Sequence, residues 1–480
     1  MTDSKQQTSM NNRRDSGNTH SLKISIKRRR TGEFIARNSM LTDLFQISHI
    51  KCVRNAFAAA FILMVLRHMA NDLLQYGRLN WTFELLSTTV GKLHVVVIVW
   101  ILMTLCSSYG VYYGTYMWAM NRKSNGTDRL YDIIWLLIYV CYLTGLLAIP
   151  CWQIIHHRLP IVSSAIIIAE QLRLLMKIHS FVRENVRKMT QQLTNSSDQN
   201  SSQEFSHFNQ YLYFLFVPTL LYRDTYPRTS IIHWNIVGEM FGQFLILLCL
   251  VYHLVAHYWM PVFVRCFTVN KVTLEFTITA IFDLMLPGTL VVILTFYGFF
   301  HCWMNGFAEL LRFADRMFYE DWWNFTSAAT FWRSWNVIVH DWLHVYVYKD
   351  LATLFNGNRN ISTACVVILS ALFHEYFMIV SLGFLSPILI VWFIVFGSKF
   401  DCSLKFIHLS KFEFLVIFRF AFPQAKGSQW NTFLLSFIPI CAGVIPYLYA
   451  LEVSVRYSPP QYKTFWNTMF MNNKQSKSDL

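Results

Sequence analysis

The 480-residue chain is expected to fold as an all-α polytopic membrane protein with about nine transmembrane helices. Composition is the first reason: 54% of the residues are hydrophobic, 17% aromatic and only 14% charged, a balance foreign to soluble domains. The second is length. Several apolar stretches reach the ~20 residues that cross a bilayer while every backbone polar group is satisfied within the helix. The third is the placing of charge. A formal net charge of +14 would raise nucleic acid as a partner for a soluble protein, but here the basic residues crowd the ends of apolar stretches, as membrane orientation requires. Nucleic acid is set aside, and membrane lipid is the expected surrounding.

Residues 1–37 read as a disordered basic tail. Ser, Asn, Gln and basic residues such as Arg13, Arg14 and the run Lys27-Arg28-Arg29-Arg30 leave too little apolar surface to fold alone. No apolar leader precedes a cleavage site, so the first helix serves as the insertion signal. Apolar stretches then centre on 56–66, 95–117, 133–155, 161–175, 236–260, 278–300, 364–382, 388–396 and 433–451, the fourth and eighth being short or amphipathic. Residues 38–455 are expected to form the membrane domain and 456–480 a short luminal tail.

With the N-terminus in the cytosol, Arg122, Lys123 and Arg129 fall on the cytosolic side, as do Arg183, Arg187, Lys188, Arg223 and Arg228. So do the long stretch 302–360 and the loop with Lys399, Lys405, Lys411, Arg419 and Lys426. An odd helix count then leaves the C-terminus luminal. The sequon Asn80-Trp81-Thr82 falls in the first luminal loop, close to the bilayer, as a candidate glycan site. Asn125-Gly126-Thr127 and Asn195-Ser196-Ser197 should stay bare, and 194–202 reads as a polar linker. No internal repeat of the transporter kind is present. Of the ten cysteines, Cys106, Cys141, Cys151, Cys249, Cys365 and Cys441 sit in apolar runs without paired spacing and read as small buried hydrophobes.

Two segments depart from membrane-protein habit. Residues 318–342 set Trp322, Trp323, Trp332, Trp335 and Trp342 among Asp321, Asn324, Arg333, Asn336, His340 and Asp341. An interfacial aromatic belt explains the tryptophans but not so many polar partners between them. The second segment, Ala371-Leu372-Phe373-His374-Glu375-Tyr376, places two ionisable residues in a run otherwise built of aliphatic and aromatic side chains. At that depth a charged group costs about 3 kcal/mol on insertion scales, so such residues face a cavity or a partner; the plainer alternative is a hydrogen-bonded packing histidine. A zinc motif of the form H-E-x-x-H fails at Met378. His253 with His257, and His340 with His344, each lie one turn apart without a third ligand, so no metal is expected.

The run Phe318-Tyr319-Glu320-Asp321-Trp322-Trp323-Asn324 resembles the FYxDWWN signature of the acyl-CoA branch of the membrane-bound O-acyltransferase family. Trp335-Asn336 and His374-Glu375-Tyr376 match, in order and approximate spacing, that family's active-site asparagine and histidine. Within the branch the sterol O-acyltransferases are the most similar, through Ala314-Asp315-Arg316-Met317 and the stretches 335–343 and 218–228, whereas diacylglycerol acyltransferases differ around Arg223-Asp224. The similarity runs from about Glu33 to the last helix. One departure stands out: the sterol enzymes carry a luminal disulfide near the C-terminus, and this chain has no cysteine after Cys441. Its luminal end must be held by packing.

The resemblance implies a membrane-bound O-acyltransferase fold in the endoplasmic reticulum membrane, assembled as a homodimer or homotetramer. It implies transfer of a long-chain fatty acyl group from acyl-CoA, as co-substrate, to a sterol hydroxyl, with no permanently bound cofactor and no acyl-enzyme. His374 is then the expected general base, since an imidazole titrates near neutral pH and such a base is worth ~10²–10⁴ in rate. Glu375, about 100° round the helix, is expected to support local packing. Asn336 would either donate its amide to the thioester oxygen or hold the hydroxyl in line. Ser370, one turn before His374, is expected to touch the thioester or pack rather than act as a nucleophile. Trp335, Arg333, His340, Tyr348 and Arg359 complete the expected acyl-CoA or substrate contacts, Arg359 standing about where the resembling enzymes have a CoA-contacting basic residue. CoA must arrive from the cytosol and the sterol laterally from the bilayer. A lipid-alcohol acyltransferase using diacylglycerol is the nearest rival, and a transporter or receptor the remote one.

Overall fold

The computed structural model describes residues 34–78, 84–125, 129–194, 205–269, 271–397, 431–432 and 435–457. The helices that organise it are, in chain order, α1 (Ser48–Tyr76), α2 (Leu85–Arg122), α3 (Arg129–His157), α4 (Ile161–Thr194), α5 (Phe208–Phe216) and α6 (Trp234–Thr268). They continue with α7 (Leu274–Leu310), α8 (Ala328–Trp335), α9 (Val337–Leu343), α10 (Arg359–Leu382), α11 (Ile388–Gly397) and α12 (Phe437–Tyr457). Seven of these, α1, α2, α3, α6, α7, α10 and α12, are long and apolar enough to cross a membrane, by length and composition. They coincide with seven of the nine stretches expected from the sequence.

The other two stretches are not among the seven found in the described residues. Residues 161–175 open α4, a 34-residue helix whose apolar and polar residues separate onto two faces. Residues 388–396 lie in α11, which is described over the ten residues Ile388–Gly397. Helix ends follow local chemistry. Gly77 (φ 64°) and Gly383 (φ 80°) close α1 and α10 in the left-handed conformation that glycine adopts without strain. Asn358 opens α10 by accepting the amides of Asn360 and Ile361 at 3.2 and 3.3 Å.

The outward faces are apolar. Phe57, Ile62, Leu63 and Leu66 on α1 and Leu136, Leu137 and Ile138 on α3 are all exposed, as lipid requires. The expectation for the cysteines needs correction on this ground: Cys106, Cys141 and Cys249 are exposed on the protein surface, and Cys151, Cys365 and Cys441 are half-buried. Close helix contacts use small residues instead of bulk. At the crossing of α7 and α12, a Cβ on Gly288 would sit 2.3 Å from the Ala442 carbonyl oxygen, and one on Gly443 would sit 2.7 Å from that of Ile281.

The interior is organised by α4. Ser163, Ser164, Gln171, Lys177, Ser180 and Asn185 on this helix are all buried, and most are spent on backbone carbonyls. Gln171 Nε2 donates to Leu146 O (2.7 Å) and Leu147 O (2.9 Å) of α3. Lys177 Nζ donates to Phe214 O and to Val217 O (2.7 Å) at the end of α5. Burial, aided by Arg173, pushes the Lys177 amine well below the ordinary lysine range. Ser180 Oγ donates to Leu220 O at 2.6 Å and accepts the indole N–H of Trp342 at 2.9 Å.

The sequon Asn80-Trp81-Thr82, the Gly126-Thr127 part of the second sequon, the third sequon at Asn195, and the basic loop from Lys399 to Lys426 lie outside the described residues, as do residues 1–33 and 458–480.

Candidate active site

The signature segment is anchored from both ends before any catalytic group is placed. Upstream, Phe34–Arg37 runs beside it: Arg37 N donates to Ala314 O (2.8 Å), Arg316 N to Arg37 O (3.1 Å), and the buried Asp315 carboxylate accepts Ile35 N (2.9 Å) and Arg37 Nε (3.0 Å). Tyr319 is fully buried, with its hydroxyl 2.8 Å from His301 Nδ1. Ser39 Oγ stands 3.3 Å from the same nitrogen and accepts Asn305 Nδ2 at 3.1 Å.

Two backbone hydrogen bonds then bracket Asn336. Glu320 N donates to Ser334 O (2.8 Å), and Val337 N donates to Phe318 O (3.1 Å). Asn336 joins α8 to α9 with φ −138° and ψ 86°, and its Oδ1 accepts Val339 N at 3.1 Å, capping α9. With the amide oxygen committed to that N–H, the network assigns the other end as NH₂, which makes no hydrogen bond among the described residues. The tryptophans stiffen this corner. Trp335 lies 4.7 Å from Trp322 and 4.6 Å from Phe296, centroid to centroid. Trp335, expected against substrate, is thus half-buried in the aromatic cluster. Asp321 stays exposed and accepts Asn324 Nδ2 at 3.4 Å.

His374 sits in the middle of α10. Ile361, Ile368 and Leu372 form the exposed apolar stripe of this helix, roughly 120–160° round from His374. Ala371 and Ser381, within about 60° of it, are buried. His374 therefore points to the protein side of the helix, and its residue is nonetheless accessible. Its Nδ1 lies 2.8 Å from the backbone carbonyl of Ser370. A carbonyl only accepts, so Nδ1 carries the hydrogen and the lone pair of the neutral ring resides on Nε2. One face of the ring packs on Phe393 of α11 (4.7 Å), and Phe393 stacks on Trp332 of α8 (5.1 Å), one turn before Asn336. Glu375 is buried and turned away: Oε2 accepts Leu389 N (3.0 Å) and Ile390 N (3.1 Å) at the start of α11.

A signature that seats an asparagine, followed by a lone histidine facing inward in an apolar helix, is matched by the comparisons with known proteins. The model of the membrane-bound O-acyltransferase family matches residues 85–401. The chain belongs to the membrane-bound O-acyltransferase family. It is 39% identical over 370 residues to sterol O-acyltransferase 1 of Mus musculus, covering 77% of this chain and 68% of that protein. Against sterol O-acyltransferase 1 of Rattus norvegicus it is 39% identical over 429 residues, covering 89% and 75%. Against sterol O-acyltransferase 2 of Homo sapiens it is 32% identical over 435 residues, covering 90% and 78%.

In this multi-pass membrane acyltransferase the remaining expected contacts are dispersed. Arg333 is exposed, its Nε donating to Ala329 O at 3.0 Å, and Arg359 is exposed at the start of α10. Neither forms an ion pair among the described residues. His340, His344 and Tyr348 stack in succession at 6.2 and 5.5 Å, with His340 Nδ1 3.3 Å from Asp341 Oδ1. Burial and the neighbouring His340 hold His344 below the ordinary imidazole range. Ser370 serves His374 through its carbonyl oxygen. His253 and His257 meet His68 of α1 ring to ring (5.2 and 3.6 Å), and no group of three or more His, Cys, Asp or Glu among the described residues could hold a metal ion. A cavity of ≈ 10 Å³ flanked by Phe318, Val337 and Ile338 includes neither His374 nor Asn336 and is too small for a substrate.

Sequence reasoning missed His301, Ser39, Asn305 and Phe393. His301 was open to the same argument as His374, an ionisable group at the end of an apolar run. Phe393 carried no signal, because one phenylalanine in an apolar run looks like any other.

Proposed function

We propose that this acyltransferase moves a long-chain fatty acyl group from acyl-CoA to the hydroxyl of a sterol, with His374 as general base and Asn336 as amide donor. The observation that carries the assignment is the Nδ1 hydrogen bond to Ser370 O, which leaves Nε2 as the free base on a ring that faces inward yet is accessible. The sterol oxygen loses its proton to Nε2 as it attacks the thioester carbonyl, the carbon–sulfur bond breaks, and the departing CoA sulfur takes the proton back from the imidazolium. The free NH₂ of Asn336 favours donation to the thioester oxygen as negative charge gathers there, over holding the hydroxyl. No serine or cysteine nucleophile is needed, because the thioester is already activated.

The sterol acceptor rests on the similarity to proteins named sterol O-acyltransferases over most of this chain. Residues 38–455 form the catalytic domain in this reading, in the endoplasmic reticulum membrane, with the N-terminus cytosolic, the C-terminus luminal and the chain assembled as a homodimer or homotetramer. Arg333, Tyr348 and Arg359 provide the cytosolic handle for the CoA phosphates, helped by His340. The test is lipid analysis of cells that make no steryl ester of their own. Expression of the chain should yield steryl oleate, and excess diacylglycerol should not compete. Triacylglycerol as the sole new product would transfer the assignment to the lipid-alcohol branch.

A further inference from the structure

We propose that Phe393 is a positioning residue for His374, and that Glu375 acts on the same ring through it. The proposal rests on the reading of His374 as the base. The hydrogen bond from Nδ1 ties the imidazole to Ser370, a residue of its own helix, so it cannot by itself aim Nε2 at anything outside α10. What joins the ring to the rest of the site is Phe393, which is buried, packs on His374 at 4.7 Å and stacks on Trp332 at 5.1 Å with 30° between the ring planes. Trp332 lies on α8, one turn before Asn336. The phenyl ring is therefore the wedge that sets the histidine against the helix that leads into the asparagine.

Phe393 is held in turn by the neighbour of the residue it positions. Glu375 Oε2 takes the two N–H groups at the start of α11, from Leu389 and Ile390, while Oε1 is buried with no hydrogen-bond partner among the described residues. All the hydrogen bonding of this carboxylate is thus directed at α11. The result is a closed circuit: α10 presents Glu375, Glu375 fixes the first turn of α11, α11 presents Phe393 about one turn later, and Phe393 returns to His374. Adjacent residues of α10 point about 100° apart, so a base and its anchor can be neighbours in sequence without competing for the same space.

The test uses full-length protein in lipid nanodiscs, measuring kcat and KM for oleoyl-CoA with sterol saturating. Phe393→Ala should lower kcat by ~10–100-fold and leave KM for acyl-CoA within about twofold, because a misaimed base loses part of its ~10²–10⁴ contribution. Phe393→Tyr should recover kcat to within about threefold, and Phe393→Leu, which fills space without a flat face to stack, should not. Glu375→Gln should show the same split, more weakly, and the double variant Phe393→Ala/Glu375→Gln should be no slower than Phe393→Ala alone, since both act through one ring. Unchanged kcat in Phe393→Ala, full recovery by leucine, or multiplying losses in the double variant would each overturn the proposal. If the alanine variant is not produced as a monodisperse protein, the tyrosine and leucine pair decides. The underlying reading fails separately: turnover retained by His374→Ala removes the base, whereas a dead His374→Ala beside a fully active Phe393→Ala removes only the wedge.

Discussion

Helices α4 and α10 solve the same problem, polar groups within an apolar protein, in opposite ways. On α4 the buried polar side chains are fully occupied. Gln171, Lys177 and Ser180 between them hold carbonyls of α3, of the end of α5 and of the segment after it, and Lys177 also lies over the Phe214 ring at 4.7 Å. On α10, His374 is tied at one nitrogen and left open at the other. A saturated buried group holds structure, since removing it strands its partners, whereas a half-satisfied and accessible one is available for chemistry. In the proposed mechanism the comparison therefore divides the polar residues of the interior into those that maintain the fold and one, His374, that acts.

The most direct way to break that division is to truncate both. His374→Ala should lower steryl ester formation by at least ~10²-fold, while protein yield and thermal midpoint stay at the wild-type value. A lower midpoint with parallel loss of activity would place His374 among the structural groups. Next in size is Asn336, which caps α9 with its oxygen and, in this reading, donates with its nitrogen. Asn336→Ser keeps an oxygen for the cap and removes the amide donor, so kcat should fall ~10²-fold with acyl-CoA binding little changed. A change confined to binding would move Asn336 to a substrate-holding role.

Lys177→Met is the mirror experiment on α4. It strips the donor from two buried carbonyls, which should cost about 1–3 kcal/mol and lower the thermal midpoint by several degrees, while the surviving protein keeps its kcat. A kinetic defect without destabilisation would overturn the assignment of α4 as scaffold. Arg359→Ala should be milder, raising KM for acyl-CoA several-fold at low salt and less at high salt, because an exposed cation is screened.

The smallest expected effect concerns pH. Burial alone would raise Asp224, but hydrogen bonds from Lys188 and Ser206 outweigh it and hold the carboxyl below its ordinary value. Stability from a depressed carboxylate is present above the unfolded value and is lost as pH falls through the folded one. Acidification below about pH 4 should thus lower the midpoint of the wild type more than that of Asp224→Asn, as differential scanning fluorimetry would read it. Equal losses would remove Asp224 from the ion-paired groups.

The amphipathic character of 161–175 was plain in the sequence, but not its meaning: the inward face of α4 mixes Ile167, Leu174 and Ile178 with Gln171 and Lys177, whose side chains reach backbone carbonyls that no side-chain pattern announces. The paired backbone bonds around Asn336 were equally hidden, because Glu320 and Val337 contribute only their amides there. Side-chain identity is silent about main-chain hydrogen bonding.

Apolar length and the cost of placing ionisable groups in lipid are properties of the chain itself, so the seven spanning helices and the singling out of His374 needed nothing more than residue order. Which nitrogen of His374 is free and which end of Asn336 can donate are set by partners three and four residues away, but neither is announced by side-chain identity, because each bond runs to a main-chain group. Which ring packs between Trp332 and His374 was decided only when α8, α10 and α11 came together, because ring contacts act over a few ångströms of space and are indifferent to distance along the sequence.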